Sequence, residues 1–382
     1  MKNFFCKNAK FSELTTIKVG GAIERFFQPD TKSSLIDLLR EEKGPVFILG
    51  SGSNTLASDA PFSETVIRTR FGGIECIKRE NDKSCLRADA GVIWDDFVRT
   101  CVQLGLQGVE NLSGIPGTVG AAVVQNVGAY GSEVSESVKE VEVWDREKKE
   151  ISVLDRDSMQ FSYRTSLIKE DIKSQSPYAP NPRFVVLSAL FCLSSNNFAP
   201  IKYKSISEYL KKPMGSVEKL WDIRNAVLCV RGAKNMLEDP VRYKSKLMAD
   251  MMPERLKSIS LPDTPNPDRA SCGSFFTNPV ISPEKVVMLP QEAPRFPAQD
   301  KEVKLSAAWL IEHAGFKKGY PLQKDPNAKV ALSTCHALAI TNRGSATSSD
   351  VMDLARKIRK AVWDKFEVDL ALEPVLIGLE QK

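Results

Sequence analysis

The chain has 382 residues, of which 26% are charged and 42% apolar, and a formal net charge of +5. That length implies two or three domains with their own cores, and a composition near the globular average excludes wholesale disorder. The small positive charge, with no Lys/Arg run interleaved with aromatics, argues against a nucleic-acid partner and suits small anionic ligands.

The longest apolar run, residues 185–193, falls far short of the roughly 20 residues that cross a bilayer. The N-terminal MKNFFCKNAKF is broken by lysines and lacks a signal-peptide core. A cytoplasmic chain with no membrane span is expected. Eight cysteines with no CxxC pair and no Cys/His cluster predict reduced thiols and no metal site.

Residues 15–28 predict a short strand pair broken at Gly20-Gly21, and a helix follows from Ser34 with Leu35, Leu38 and Leu39 on one face. Residues 46–49 predict a buried strand that ends in Gly50-Ser51-Gly52-Ser53-Asn54-Thr55. A polar, glycine-bearing turn after a buried strand can offer backbone N–H groups to a phosphate. GSGSNT lacks the third glycine of GxGxxG and the Lys-Ser/Thr of a P-loop, so neither nucleotide motif applies. A tight surface turn is an equal reading of the hexapeptide alone.

A strand over residues 85–91 is followed by a helix with Trp94, Phe97, Val98, Cys101 and Val102 at helical spacing, stopped by Gly105. Residues 104–131, LGLQGVENLSGIPGTVGAAVVQNVGAYG, then hold seven of the 22 glycines. Glycine loses the most backbone freedom on folding, so this density marks positive φ or a very close approach by another group. No ordinary core helix is expected there; Gly114, Gly117 and Gly120 around Pro116 predict a compact loop.

A hairpin is predicted over residues 141–154. Phe161-Ser162-Tyr163-Arg164-Thr165-Ser166, if extended, places Arg164 opposite Phe161 and Tyr163, where a lone arginine is most often solvated. Residues 174–183 predict a loop, 184–193 a hydrophobic strand, 196–200 a domain boundary and 216–229 a helix. A charged excursion follows over 236–268, helical with a mobile tail. In SCGSFFTNP, Ser274 precedes two aromatics and has no local His or Asp to activate it, so a strand-entry serine is the simpler reading. Ser306 caps a helix that ends at Gly315, with His313 on its polar side; Lys317 and Lys318 follow the helix end, where cations are favoured. A strand over 331–341 leads to a long helix from Ser349, whose Arg356, Lys357, Arg359 and Lys360 form a solvated stripe. In EVDLALEP, alternation puts Val368, Leu370 and Leu372 on one face of a strand and Glu373 on the other, with Pro374 ending the pairing. Glu373 is solvent-exposed unless a ligand cavity lies on its side.

Taken together, GSGSNT, NLSGIPGTVGAAVVQNVGAYG, YRTS, GSFFTNP, AAWLIEHAG and LEPVLIG, in that order, make residues 15–378 resemble the UDP-N-acetylenolpyruvoylglucosamine reductase family, flavoenzymes of peptidoglycan precursor synthesis. The resemblance implies an α+β chain. A two-subdomain FAD-binding fold of the vanillyl-alcohol oxidase/p-cresol methylhydroxylase type would span 15–200 (subdomains 15–72 and 73–200), and an α+β substrate domain 201–382. It implies non-covalent FAD, held by Gly50, Ser51, Gly52, Ser53, Asn54 and Thr55 and wrapped by Asn111, Ser113, Gly114, Ile115, Pro116, Gly117, Gly120, Ala121, Gln125, Asn126 and Gly128. NADPH would be the hydride donor and UDP-N-acetylglucosamine enolpyruvate the substrate. Arg164, Ser274 and Glu373 match the family's catalytic positions, Ser274 as proton donor and the other two at the carboxylate side of the intermediate. Tyr130, Tyr163, Lys234, Asn278 and Lys318 match substrate positions, with Lys317 an alternative to Lys318. Tyr203 resembles the loop tyrosine of one subtype. The chain departs from the family pattern at Val124, where proline is common, at Cys272, where alanine is common, and at Cys335, where a polar residue is usual.

Two rivals compete. An oxidase or dehydrogenase of the same fold often carries FAD on a histidine, but His313 and His336 lie outside the flavin region. A non-catalytic flavin or nucleotide-sugar binder would have no need to keep Arg164, Ser274 and Glu373 together.

Overall fold

The computed structural model describes residues 5–176, 180–237, 266–298 and 301–379. The chain forms two compact units: Met1–Ala9, Ile23–Ser51 and Phe62–Thr264 make the first, and Lys10–Ala22, Gly52–Pro61 and Pro265–Lys382 the second.

In the first unit, Ile23–Phe27, the helix Lys32–Glu41 and Val46–Ile48 form a β-α-β run, and Phe62–Ile67 lies between the two strands as a parallel partner of both. Thr31 and Ser34 cap the helix reciprocally, and Leu35, Ile36, Leu38 and Leu39 are buried. An antiparallel five-stranded sheet follows, in the order Glu150–Asp155, Val138–Asp145, Phe184–Ser194, Lys83–Asp89, Ile74–Arg79. Its central strand is apolar on both faces because both are covered. Val185 and Leu187 pack with Phe27, Leu35 and Trp144, while Ala189, Phe191 and Leu193 pack under the helices Trp94–Gln103, Val119–Gln125 and Leu220–Ala233. Trp94, Phe97, Val98, Cys101 and Val102 are all buried, as their spacing predicts. Each large apolar side chain so placed contributes roughly 1.5–3 kcal/mol.

Several expectations change. The strand pair predicted over 15–28 is instead a single strand, Ile23–Phe27, preceded by the short helix Phe11–Leu14. The glycine stretch does contain a helix, Val119–Gln125, because its small residues let it lie tightly against the turn that follows Lys83–Asp89: a Cβ on Gly120 would meet the Ala90 Cβ at 2.9 Å. Residues 167–174 form a helix capped by Ser166. The boundary expected near residue 200 is not where the compact units divide, since Ile201, Ile206, Leu220, Ile223 and Val227 belong to the first unit's core. Cys85 and Cys192 are not reduced thiols. They face each other across the register of Lys83–Asp89 and Phe184–Ser194 and form a disulfide, which their separation of 107 residues hides from the sequence.

In the second unit the helix Ser348–Phe366 buries Val351, Leu354, Ala355, Ile358 and Val362, and its basic stripe is solvated and paired locally, Arg359 with Asp369 and Lys360 with Asp364. Ser306 accepts a hydrogen bond from the Trp309 N–H, capping Ala307–His313 as expected. The strand expected over 331–341 is two short antiparallel strands, Val330–Leu332 and Ile340–Asn342. Pro374 does not end a strand; it precedes one, Val375–Ile377, which pairs in parallel with Thr55–Ala57. The excursion expected over 236–268 lies almost wholly outside the described residues. Among the described residues no helix is long and apolar enough to cross a membrane.

Candidate active site

The glycine stretch is fastened to the helix Trp94–Gln103. The Trp94 backbone N–H donates to the Gly117 carbonyl at 3.0 Å, and its indole N–H to the Leu112 carbonyl at 3.0 Å. Asn126 ends the helix Val119–Gln125 in the left-handed region, and its side chain bridges three segments: it donates to the Ser162 carbonyl at 2.9 Å and to Glu133 at 3.2 Å, and accepts from the Ser135 N–H at 3.0 Å.

These contacts carry the geometry to Arg164. Residues Ser162 and Thr165 exchange backbone hydrogen bonds, so Tyr163 and Arg164 form a two-residue turn, with Arg164 at φ +59. The expected extended strand is therefore absent, and the side chain is held instead of solvated. The guanidinium donates to the Gly128 carbonyl at 2.5 Å, lies 3.7 Å from Glu133 and stacks 4.9 Å over the Tyr163 ring. Gly128 makes this possible, because a Cβ there would stand 2.7 Å from an Arg164 nitrogen.

Beside this lies an aromatic pair, with the Tyr130 and Tyr203 rings edge-on at 5.5 Å. Burial pushes the Tyr130 phenol up, against the opposing effect of the Arg231 guanidinium bonded to its hydroxyl. Tyr203 is exposed and precedes the helix Lys204–Leu210, while Lys234 follows the last turn of Leu220–Ala233. Lys169, buried, donates to the Gln125 side chain.

In the second unit, the segments that carry Ser274 and Glu373 pair with each other. Phe276 and Leu372 pair antiparallel, the Glu373 N–H donates to the Phe275 carbonyl at 3.0 Å and the Thr277 N–H to the Ala371 carbonyl at 3.0 Å. Burial alternates through Val368 and Leu370 as predicted, although the segment is extended coil, and Glu373 is half-buried, not exposed. Asn54 joins the same place: its amide donates to the Glu373 carbonyl at 3.4 Å, and its own carbonyl accepts from Val375 at 2.9 Å. Asn278 accepts from the Ala307 N–H at 2.9 Å, and Lys317 and Lys318 are both exposed. His313 is exposed and stacks on Trp309.

Cys272 is buried next to Glu373. Burial, reinforced by that carboxylate, pushes its thiol up to about 12. At pH 8 iodoacetamide is expected to label exposed Cys76 and to spare Cys272 in the folded protein, as peptide mass mapping would reveal. A thiol pKa raised above its unfolded value of about 8.5 favours folding at lower pH, and this contribution declines as pH rises from there towards 12. Prompt labelling of Cys272 at pH 8 would contradict this burial.

The chain's own residues fit FAD. Small side chains converge where Gly50 meets Thr118 and Ala121, and a Cβ on Gly50 would stand 3.0 Å from the Ala121 Cβ. Asn111 is 1% exposed, and its carbonyl oxygen has no hydrogen-bond partner among the described residues, so it is an acceptor suited to a donor on a bound group.

Residues 23–153 match the FAD binding domain family, and residues 265–377 match the family described as UDP-N-acetylenolpyruvoylglucosamine reductase, C-terminal domain. The UDP-N-acetylenolpyruvoylglucosamine reductase of Thermobifida fusca is 37% identical over 393 residues, covering 99% of both chains. The chain belongs to the UDP-N-acetylenolpyruvoylglucosamine reductase family. The Mycobacterium marinum member is 38% identical over 97% of this chain and 95% of its own. The crystal structure of the Thermus caldophilus member covers 98% of this chain at TM-score 0.57 and 22% identity, a likeness of fold. The chain is thus an α+β, FAD-binding oxidoreductase of this family.

The sequence reading missed Asp95, Arg224 and Arg231, all buried charges. Their signal was there: Asp95 follows Trp94 at a helix start, and Arg224 and Arg231 interrupt the otherwise apolar LWDIRNAVLCVRGA.

Proposed function

We propose that the chain reduces the enolpyruvyl double bond of UDP-N-acetylglucosamine enolpyruvate to give UDP-N-acetylmuramate, with NADPH as reductant, in the cytoplasm. The observation that supports this reading is the backbone pairing of the GSFF and LEP segments, which carry Ser274 and Glu373, in a chain related to these reductases along its whole length.

Bound non-covalently, FAD supplies hydride transfer from NADPH to the terminal carbon of the enolpyruvyl group. Gly50 to Thr55 would hold its pyrophosphate through backbone N–H groups, and Asn111 to Gly128 would enclose the rest. Ser274 gives a proton from its hydroxyl to the other carbon, so that hydride and proton together saturate the bond. Arg164 stabilises the carboxylate side, where negative charge develops, and Glu373 polarises that side only when protonated, as a hydrogen-bond donor; a cation already fixed by Gly128 and Tyr163 costs no reorganisation at that moment. Lys234, Asn278 and Lys318 would contact the diphosphate and sugar. Tyr203, edge-on to Tyr130, would close over them as in the loop-tyrosine subtype.

Steady-state assay tests this. NADPH oxidation is expected to require the enolpyruvyl sugar nucleotide and to match UDP-N-acetylmuramate one for one. Oxidation at the same rate without that substrate would favour an oxidase, and so would yellow colour that stays with acid-precipitated protein.

A further inference from the structure

Asp95 and Arg224, 129 residues apart, are 3% and 0% exposed and form a two-pronged ion pair, with guanidinium nitrogens 2.7 and 2.8 Å from the two carboxylate oxygens. A buried ion pair gains little stability over well-packed apolar side chains of similar volume. Its place in a core of Trp94, Phe97, Val98 and Val227 therefore calls for another account. Asp95 Oδ1 also accepts the Gly114 N–H at 2.6 Å. On the other side of the same residue, Arg231 Nε donates to the Gly114 carbonyl at 3.0 Å. Arg224 and Arg231 lie seven residues, two turns, apart on the helix Leu220–Ala233, so they project from one face. Gly114 stands at φ +68, where a Cβ would meet Leu228 at 2.7 Å and Leu237 at 2.9 Å.

The N–H and C=O of one glycine are thus each bound to a charged, buried side chain. The carbonyls of Leu112 and Gly117, on either side, are tied to Trp94. Hydrogen bonds to ionised groups are about twice as strong as neutral ones. This arrangement gives the NLSGIPG backbone one course before any ligand arrives, which lowers the ordering cost of binding.

We infer that Asp95, oriented by Arg224, is a positioning residue that sets the NLSGIPG backbone for FAD, with Arg231 as its counterpart on the Gly114 carbonyl. The inference rests on the reading that this segment encloses the cofactor.

Two full-length double variants separate this role from a purely structural one. Asp95→Asn with Arg224→Met removes both charges but keeps an acceptor for the Gly114 N–H. Asp95→Leu with Arg224→Met removes the acceptor as well. After flavin removal, titration with FAD is expected to give the first variant, which loses the charge and the orienting Arg224, a Kd about threefold to tenfold weaker than the parent, and the second, which also loses the acceptor, a Kd about tenfold weaker again. Urea midpoints, measured alongside, report stability independently. Equal FAD affinity in the two variants overturns the inference. If the leucine variant does not fold, Arg231→Met serves in its place, with about tenfold weaker FAD binding expected and unchanged binding overturning the inference.

Gly114→Ala keeps the underlying reading distinct. If it binds FAD as the parent does, the segment does not hold the cofactor, and both conclusions fall. If it weakens binding while the two double variants bind alike, only the role of Asp95 falls.

Discussion

Ser274→Ala is expected to leave bleaching of the flavin by NADPH within about twofold of the parent, and to slow the return of colour on adding UDP-N-acetylglucosamine enolpyruvate by about 10²–10⁴-fold, the usual range for a positioned proton donor. The asymmetry is the test. The hydroxyl is assigned only to protonation of the substrate carbon, so loss of a proton donor has no route to the NADPH step. Ser274 is half-buried, and removing one hydroxyl there leaves the flanking backbone hydrogen bonds of Phe275 in place, so the variant should fold. Stopped-flow absorbance resolves the two steps. Equal slowing of both in a folded variant would remove Ser274 from the protonation role.

The second large effect concerns Gly128, whose φ does not require glycine. What it supplies is space: an added Cβ would stand 2.7 Å from an Arg164 nitrogen and 2.8 Å from a Glu133 side-chain carbon. The Arg164 nitrogen can move aside, but Glu133 Cγ and the Ser132 carbonyl, which the Cβ would meet at 3.1 Å, have less freedom, so Gly128→Ala is expected to lower the urea-unfolding free energy by about 1–2 kcal/mol. Arg164 cannot move aside and keep its bond to the Gly128 carbonyl in the present geometry. A displacement of about 1 Å in a group aimed at developing charge can cost on the order of 10²-fold in rate. The expected result is therefore a loss in kcat of about 10–100-fold in a protein that still folds. A kcat equal to the parent's would place Arg164 away from the reacting atoms.

Local pattern made much of this fold legible. Helical spacing located the Trp94 and Ser348 helices and the capped helix at Ser306, and alternation forecast the burial of Val368 and Leu370 even though no regular strand forms there. What the sequence hid is decided by contacts between distant segments. Thr55–Ala57 pairs with Val375–Ile377, which draws residues 52–61 into the second unit, and no local period reports such a pairing. Cys85 meets Cys192 only because two strands take one register. The Arg164 turn needs positive φ at a residue that is neither glycine nor asparagine, so turn chemistry gives no warning of it.

The site divides along the same line. Ser274 and Glu373 stand in short motifs that gained a role only from the family resemblance, since the residues alone suggested a strand-entry serine and an exposed glutamate; their segments meet through the pairing of Phe276 with Leu372. The surrounding support was not readable. Asp95, Arg224 and Arg231 are charges at buried helix positions, and the sequence shows that each needs a partner without naming it. Gly128, read as part of a cofactor wrapping, also leaves room for a guanidinium, which no local pattern announces.

The central claim is that one flavin carries reducing equivalents from NADPH to the enolpyruvyl sugar nucleotide. Anaerobic titration of the purified protein tests it most directly. NADPH is expected to bleach the yellow colour, and stoichiometric UDP-N-acetylglucosamine enolpyruvate to restore it with formation of UDP-N-acetylmuramate; bleaching with no recovery on adding that substrate would contradict the account.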